Sequence, residues 1–185
     1  NYEMAIECNP AHLEFNHIEL LKKFGFNRIS LGIQDFRTDV LDGINRKPSK
    51  YPIEEIVKKI EDEGFTGTNI DLVYGLPYQT PENFSETVDR AIKLNTDRIV
   101  TFSYAHVPSV LPRQKILEKI GFPSSNEKAE MYENSYRKFI ESGYISIGMD
   151  HYSLPNDEFA IALKNKNLHR NFQGYCTRET TGQVY

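Results

Sequence analysis

Cysteine is scarce here, and the scarcity excludes much. Cys8 and Cys176 are the only two in 185 residues, and they stand near opposite ends. Such a pair builds no disulfide framework, and no Cys-x-x-Cys or His-x-x-x-His spacing offers a metal site. Each reads as a small core or loop residue, and a reducing, cytoplasmic setting is the expectation. An excess of positive charge is missing too. With 22 Lys and Arg against 26 Asp and Glu, the net charge is -4, so no basic face is offered to nucleic acid. No apolar run approaches the roughly twenty residues that cross a bilayer, and no signal-peptide pattern opens the chain. Neither nucleic acid nor a membrane is expected as a partner. No Gly-x-Gly-x-x-Gly or Walker loop follows any predicted strand. Strand ends also lack the lysine or metal cluster of sugar and aldol chemistry.

What is present is alternation. Tyr2 to Glu7 alternates as a strand does, and Asn9-Pro10 turns the chain. Leu13, Ile18, Leu21 and Phe24 then suit an amphipathic helix. Arg28 to Gln34 reads as a strand. Ile53, Ile56, Val57 and Ile60 have helical spacing. The strand carrying Asp71 follows. A helix begins with Thr80 as cap and Pro81 in its first turn, burying Phe84, Val88, Ala91 and Ile92. Arg98 to Tyr104 is the next strand. Gly25-Phe26, Gly64-Phe65, Gly121-Phe122 and Gly143-Tyr144 each place a glycine where a left-handed helix stop is wanted, with an aromatic to fold back.

Strand and helix in succession predict right-handed crossovers and a parallel sheet. A doubly wound sheet and a βα barrel both fit. The polar strand ends, Glu7, Gln34-Asp35, Asp71 and Tyr104-Ala105-His106, favour a partial (β/α) barrel with its site at the carboxyl rim. Residues 1–110 would form that partial barrel. Residues 111–185 would form a helical, short-strand α/β appendage. It begins with a short basic helix between Pro112 and Pro123. A longer helix follows, ending near Ser142, with Met131, Tyr136, Phe139 and Ile140 inward. Then come a strand from Ile145 to Met149 ending in Asp150-His151, a helix near Asp157 to Lys164, and a polar, frayed end around Thr180, Thr181 and Gly182. Both ends look like cuts through a longer protein.

The most informative stretch is Asn69 to Pro77. It sets one carboxylate, Asp71, in a run of strand formers that breaks at Gly75 and Pro77. A buried ionised carboxylate needs a cation or donors. Near a strand's carboxyl end that partner is often a ligand; the alternative is a local turn cap.

Several motifs occur in a fixed order. They are Glu7-Cys8-Asn9-Pro10, Gly25-Phe26-Asn27-Arg28, Gly32-Ile33-Gln34-Asp35-Phe36, Asn45-Arg46 and Thr68 to Pro77. Tyr104-Ala105-His106, Gly148-Met149-Asp150-His151 and His169 to Tyr175 complete the series. Together they resemble the oxygen-independent coproporphyrinogen III oxidase family of radical S-adenosylmethionine enzymes, over about residues 1 to 175. The strand motifs point to the wider radical family and the last two to the oxidases.

The resemblance implies oxidative decarboxylation of two propionates of coproporphyrinogen III to vinyls, giving protoporphyrinogen IX for heme biosynthesis. Its cofactors would be S-adenosylmethionine, two in the intact enzyme, and a [4Fe-4S] cluster; its partners, the porphyrinogen and an electron donor. The parent would be a monomer. The family's cluster ligands, spaced Cys-x-x-x-Cys-x-x-Cys, have no counterpart here. The resemblance therefore implies a fragment, inactive alone, whose cluster loop precedes Asn1. A heme-binding chaperone on the same barrel is the alternative.

By the same resemblance Glu7 contacts ribose hydroxyls of the cluster-bound cofactor. Gln34, Arg46, Asp71 and Ala105 surround a second S-adenosylmethionine, Arg46 as clamp for its carboxylate. From the residues alone, Arg46 also reads as a surface arginine. Tyr104, His106, Asp150, His151, His169 and Arg170 are further candidates. Asp150-His151 is an acid, base or porphyrinogen contact, or a structural hydrogen bond. No catalytic residue and no metal ligand is expected within the chain.

Overall fold

The computed structural model describes residues 3–171 and 174–177. Phe172 and Gln173 of the last motif, and the polar end around Thr180, Thr181 and Gly182, lie outside them. Four parallel strands succeed one another with helices between: β1 (Ala5–Cys8), α1 (Phe15–Lys23), β2 (Arg28–Gln34), α2 (Thr38–Gly43), α3 (Ile53–Asp62), β3 (Gly67–Tyr74), α4 (Pro81–Lys93) and β4 (Arg98–Ser103). A 3-10 segment, Pro112–Lys119, leads to α5 (Ser125–Glu141), β5 (Ile145–Gly148), β6 (His151–Ser153) and α6 (Glu158–Lys164). A separate ribbon pairs β7 (His169–Arg170) with β8 (Tyr175–Cys176). The main sheet runs β1-β2-β3-β4-β6-β5. The first four strands are parallel, and β6 and β5 add antiparallel to the β4 edge. The architecture is α/β with a mostly parallel sheet: a partial (β/α) barrel of TIM-like type.

Burial alternation sorts the side chains. Ile29, Leu31 and Ile33 of β2, Ile70 and Leu72 of β3 and Ile99 of β4 are buried with Ile18, Ile56, Ile60, Phe84, Val88, Met131 and Phe139 from the helices. Each such side chain contributes about 1.5–3 kcal/mol of burial free energy, enough to fix register, because a one-residue slip would turn the whole set outward. The opposite face carries Glu7, Ser30, Asn69, Asp71 and Arg98, and forms the site below.

The glycine stops take the left-handed conformation, with φ of 93°, 73°, 91° and 90° at Gly25, Gly64, Gly121 and Gly143. Amides of Phe26, Phe65 and Tyr144 close three Schellman turns on Leu21, Ile60 and Phe139. Thr80 caps α4 within a capping box.

Four details differ from the sequence reading. Phe24 is 71 % exposed, because it caps α1 rather than continuing its buried stripe. Tyr136 and Ile140 are exposed, and Ser135 lies inward, its hydroxyl bonded to the Met131 carbonyl. The single strand expected from Ile145 to Met149 is one arm of a hairpin. Gly148 (φ 144°) and Met149 (φ 50°) reverse the chain, so His151 opens β6 instead of ending β5. Helix α2, buried through Val40 and Leu41, has too short a pattern to be read in advance.

At the amino ends of the strands an ionic cluster joins the last helix to the sheet. Asp157, the N-cap of α6, takes Arg98 Nε at 3.0 Å and Arg28 Nη2 at 3.4 Å, while Glu158 takes Arg98 Nη2 at 2.7 Å. The Arg98 guanidinium also lies 3.4 Å from the Phe159 ring centroid.

Candidate functional site

Register assembles the site. Across the open face Glu7, Ser30, Asn69 and Arg98 form one row, and Gly32, Asp71, Val100 and His151 the next. Asp71 is only 8 % exposed. Its carboxylate accepts from Ser30 Oγ at 3.0 Å and Asn69 Nδ2 at 2.8 Å. Burial pushes its pKa up, those two hydrogen bonds pull it down, Glu7 raises it and Arg46 lowers it. Two neutral donors do not repay the desolvation of a carboxylate, so Asp71 is left wanting a cation or further donors.

Arg46 reaches the site by a local device. Helix α2 ends in a Schellman turn at Asn45 (φ 55°), with Asn45 N on Asp42 O and Arg46 N on Leu41 O. That turn sends Arg46 back over β2, where Nη2 donates to the Gly32 carbonyl. Gln34 arrives by another route. It sits at a register irregularity with φ 69°, a sparsely populated conformation for a non-glycine residue and one that clusters at functional sites. A Cβ on Gly32 would come within 2.9 Å of Gln34 Nε2 and 3.1 Å of Arg46 Nη2. Glycine is thus what lets a carboxamide and a guanidinium close over the strand beside Asp71.

Glu7, Asp71, Ser30, Asn69 and His151 line one cleft of about 340 Å³. Gln34 and Arg46 line a separate, larger and mostly apolar one with Tyr104, Leu76 and Ile116. Gly32 is the seam between the two: it pairs with Asp71 across the strands and lies under Gln34 and Arg46, and the charges of both Glu7 and Arg46 act on Asp71. Ala105 is exposed on the loop after β4, its carbonyl taken by Gln114 Nε2 at 3.0 Å, between residues that line the cleft of Gln34 and Arg46. Tyr104 stacks on Phe122 at 5.5 Å, and His106 meets Glu118 at 3.0 Å. Asp35, grouped with the rim residues from sequence, turns instead to the helix side. There it accepts from Gln79 Nε2 (2.7 Å), Thr87 Oγ1 (2.8 Å) and Arg37 N (2.9 Å), locking the loop after β3. Its role is structural, and burial raises its pKa.

Sequence reasoning passed over three members of the site, Ser30, Asn69 and Gly32. Asn69 Oδ1 is buried without a hydrogen-bond partner. Its signal was a second polar residue two before Asp71, hence on the same strand face.

Chemically the acids and the Asn69 carbonyl accept, while Arg46 and Gln34 donate. That set matches a ligand with an ammonium or hydroxyls at one end and a carboxylate at the other. An S-adenosylmethionine meets this description, and these residues fit it. The described residues do not fit the cluster. Among the described residues no three His, Cys, Asp or Glu are grouped to hold a metal, and burial raises the pKa of Cys8, favouring the thiol over the thiolate a metal needs.

The Radical SAM superfamily pattern matches residues 1–91. The coproporphyrinogen III oxidase of Escherichia coli, described in its structure as a radical SAM enzyme, superposes with a TM-score of 0.92 at 41% identity, covering 97% of this chain and 41% of that one. The chain is thus similar to radical SAM enzymes, by the family pattern over its first 91 residues and by structure over nearly its whole length. Curated relatives agree. The oxygen-independent coproporphyrinogen III oxidases of Salmonella typhimurium and a Synechocystis species are each 41% identical, over 97% and 96% of this chain. The chain spans about two fifths of their length, 39% and 38%. Elp3 of the archaeon Methanocaldococcus infernus, 17% identical with a TM-score of 0.57, shares the fold alone.

Proposed function

We propose that the chain is the S-adenosylmethionine-binding part of an oxygen-independent coproporphyrinogen III oxidase. The observation that carries this reading is the closure of Arg46 and Gln34 over Gly32 beside the under-compensated Asp71. The likeness to the named oxidases over nearly the whole chain supports it.

In this reading Arg46 takes the cofactor's carboxylate with its paired donors. Asp71 takes an ammonium or ribose hydroxyls, Gln34 both donates and accepts, and Glu7 receives ribose hydroxyls. S-adenosylmethionine held by Glu7, Gln34, Arg46 and Asp71 would supply the radical chemistry of the family, directed at a propionate side chain. The chain's own residues do what a protein does for such a cofactor: they bind it, orient it and exclude water. Cluster ligands and the electron donor come from outside these 185 residues, and the setting is the cytoplasm. Residues 1–110 hold the nucleoside, while 111–185 bring His151 and Tyr175 to the cleft's far side.

The test is turnover of coproporphyrinogen III by the intact, cluster-reconstituted protein under argon with a reductant. Protoporphyrinogen IX and carbon dioxide are expected, with 5′-deoxyadenosine formed alongside. Heme binding with no protoporphyrinogen would instead favour a carrier.

A further inference from the structure

His151 is the residue of the open face that the cofactor reading leaves unused. It shares a cross-strand row with Asp71, one strand removed through Val100, and lines the same cleft. Two strand spacings place the two Cα atoms about 10 Å apart. Its ring is held edge-on from two sides, by Phe102 at 6.2 Å (88°) and Tyr175 at 5.1 Å (76°). Gly148 makes room for this arrangement, since a Cβ there would collide with the Tyr175 hydroxyl.

The ring's two nitrogens are unequal. Nδ1 is buried with no partner, and Nε2 makes no hydrogen bond among the described residues. Burying an unpaired N–H is worse than burying an unpaired acceptor. The proton therefore belongs on Nε2. Burial, then Arg170 and Arg98, keep the imidazole neutral by lowering its pKa. Asp150, adjacent in the turn, has its own pKa raised by burial, with Arg170 opposing.

Charge divides the cleft accordingly. Glu7, Asp71 and the Asn69 carbonyl make one side acceptor-rich. Behind the other side, which His151 and Tyr175 line, Arg170 lies 5.7 Å from the Tyr175 ring centroid; its charge acts on both His151 and Asp150, with no ion pair within 4 Å among the described residues. An anion belongs on that side.

We propose that His151 donates its Nε2–H to a carboxylate of the substrate, with Arg170 supplying the favourable field. The inference rests on the porphyrinogen reading above and deepens it: a propionate is held beside the nucleoside's anchor by a fixed neutral donor.

The test compares coproporphyrin III, a stable stand-in for the porphyrinogen, with its tetramethyl ester. Fluorescence titration of the intact protein gives both affinities. Wild type should prefer the acid. His151→Phe, which keeps the ring packing, should lose about tenfold in acid affinity, the size of one hydrogen bond to a charged group, with ester affinity unchanged. His151→Gln, which restores an N–H near Nε2, should recover most of it. Arg170→Gln, at an exposed position on the strand that pairs with Tyr175, should lower acid affinity and leave ester affinity unchanged. Unchanged acid affinity in the Phe and Arg170 variants, or an equal fall for acid and ester, overturns the assignment. If wild type binds neither porphyrin, the porphyrinogen reading has failed and this inference falls with it. A wild type that binds, beside unaltered variants, removes only the role of His151.

Discussion

Asp71 is held where water cannot solvate it and where Ser30 and Asn69 only partly replace water. Because burial raises its pKa, the folded protein binds a proton there more readily than the unfolded chain does. Stability from this group is full below the ordinary carboxylate pKa, about 4, and is lost as pH rises through the higher folded value. Asp71→Asn should therefore raise the melting temperature at pH 7 by about 2–4 °C, on the order of 1 kcal/mol. The gain should vanish below about pH 4, while S-adenosylmethionine binding is lost at every pH. Thermal melts across that range check it; a lower melting point at neutral pH would mean that Arg46 already compensates the charge. Asp71 was legible in the sequence because a lone acid in an apolar strand announces itself; Arg46 was legible only through the resemblance, since its spacing alone reads as a surface arginine. Asn69 and Gly32 were not, because their importance comes from which residues lie opposite on β2 and from side chains closing overhead.

Helices and strands were legible where the information is local. The buried stripe Ile53, Ile56, Val57, Ile60, the Thr80 cap and the glycine–aromatic stops depend only on near neighbours. The β5–β6 hairpin was read as one strand because its reversal uses Gly148 and Met149, with no Asn-Gly or Asp-Gly signal. The anchoring of α6 was equally hidden. Asp157 is 59 residues from Arg98 and 129 from Arg28. Its side chain is 4% exposed, against 13% for Arg28 and 12% for Arg98. Removing it leaves two largely buried guanidiniums to share only the more exposed Glu158 carboxylate, and α6 without its cap. Asp157→Ala should cost about 3–5 kcal/mol of stability, read by urea denaturation of the protein. A loss under about 1 kcal/mol would show that Glu158 alone holds the cluster.

The molecule as a whole separates two tasks by sheet face. Helices α1, α3, α4 and α5 bury one face in a continuous apolar core, and the other face is free to be polar. That division lets β1, β2 and β3 each send a side chain to one place without disturbing packing. The fold class was legible from the alternation of elements. The antiparallel attachment of β6 to β4 was not, since it follows from long-range pairing. No described helix is long and apolar enough to cross a membrane.

Gly32 offers the sharpest measurement of whether this face cradles the nucleoside. An added methyl would crowd the flexible ends of Gln34, at 2.9 Å, and Arg46, at 3.1 Å, while the Cys8 carbonyl, at 3.9 Å, stays at ordinary contact distance. The fold can therefore tolerate it while the cradle cannot. Calorimetric titration of S-adenosylmethionine into the intact wild-type protein and its Gly32→Ala variant should show at least about tenfold weaker binding in the variant, roughly the loss of one charge-assisted hydrogen bond, with the melting temperature unchanged. Equal affinity in the two proteins would contradict the site.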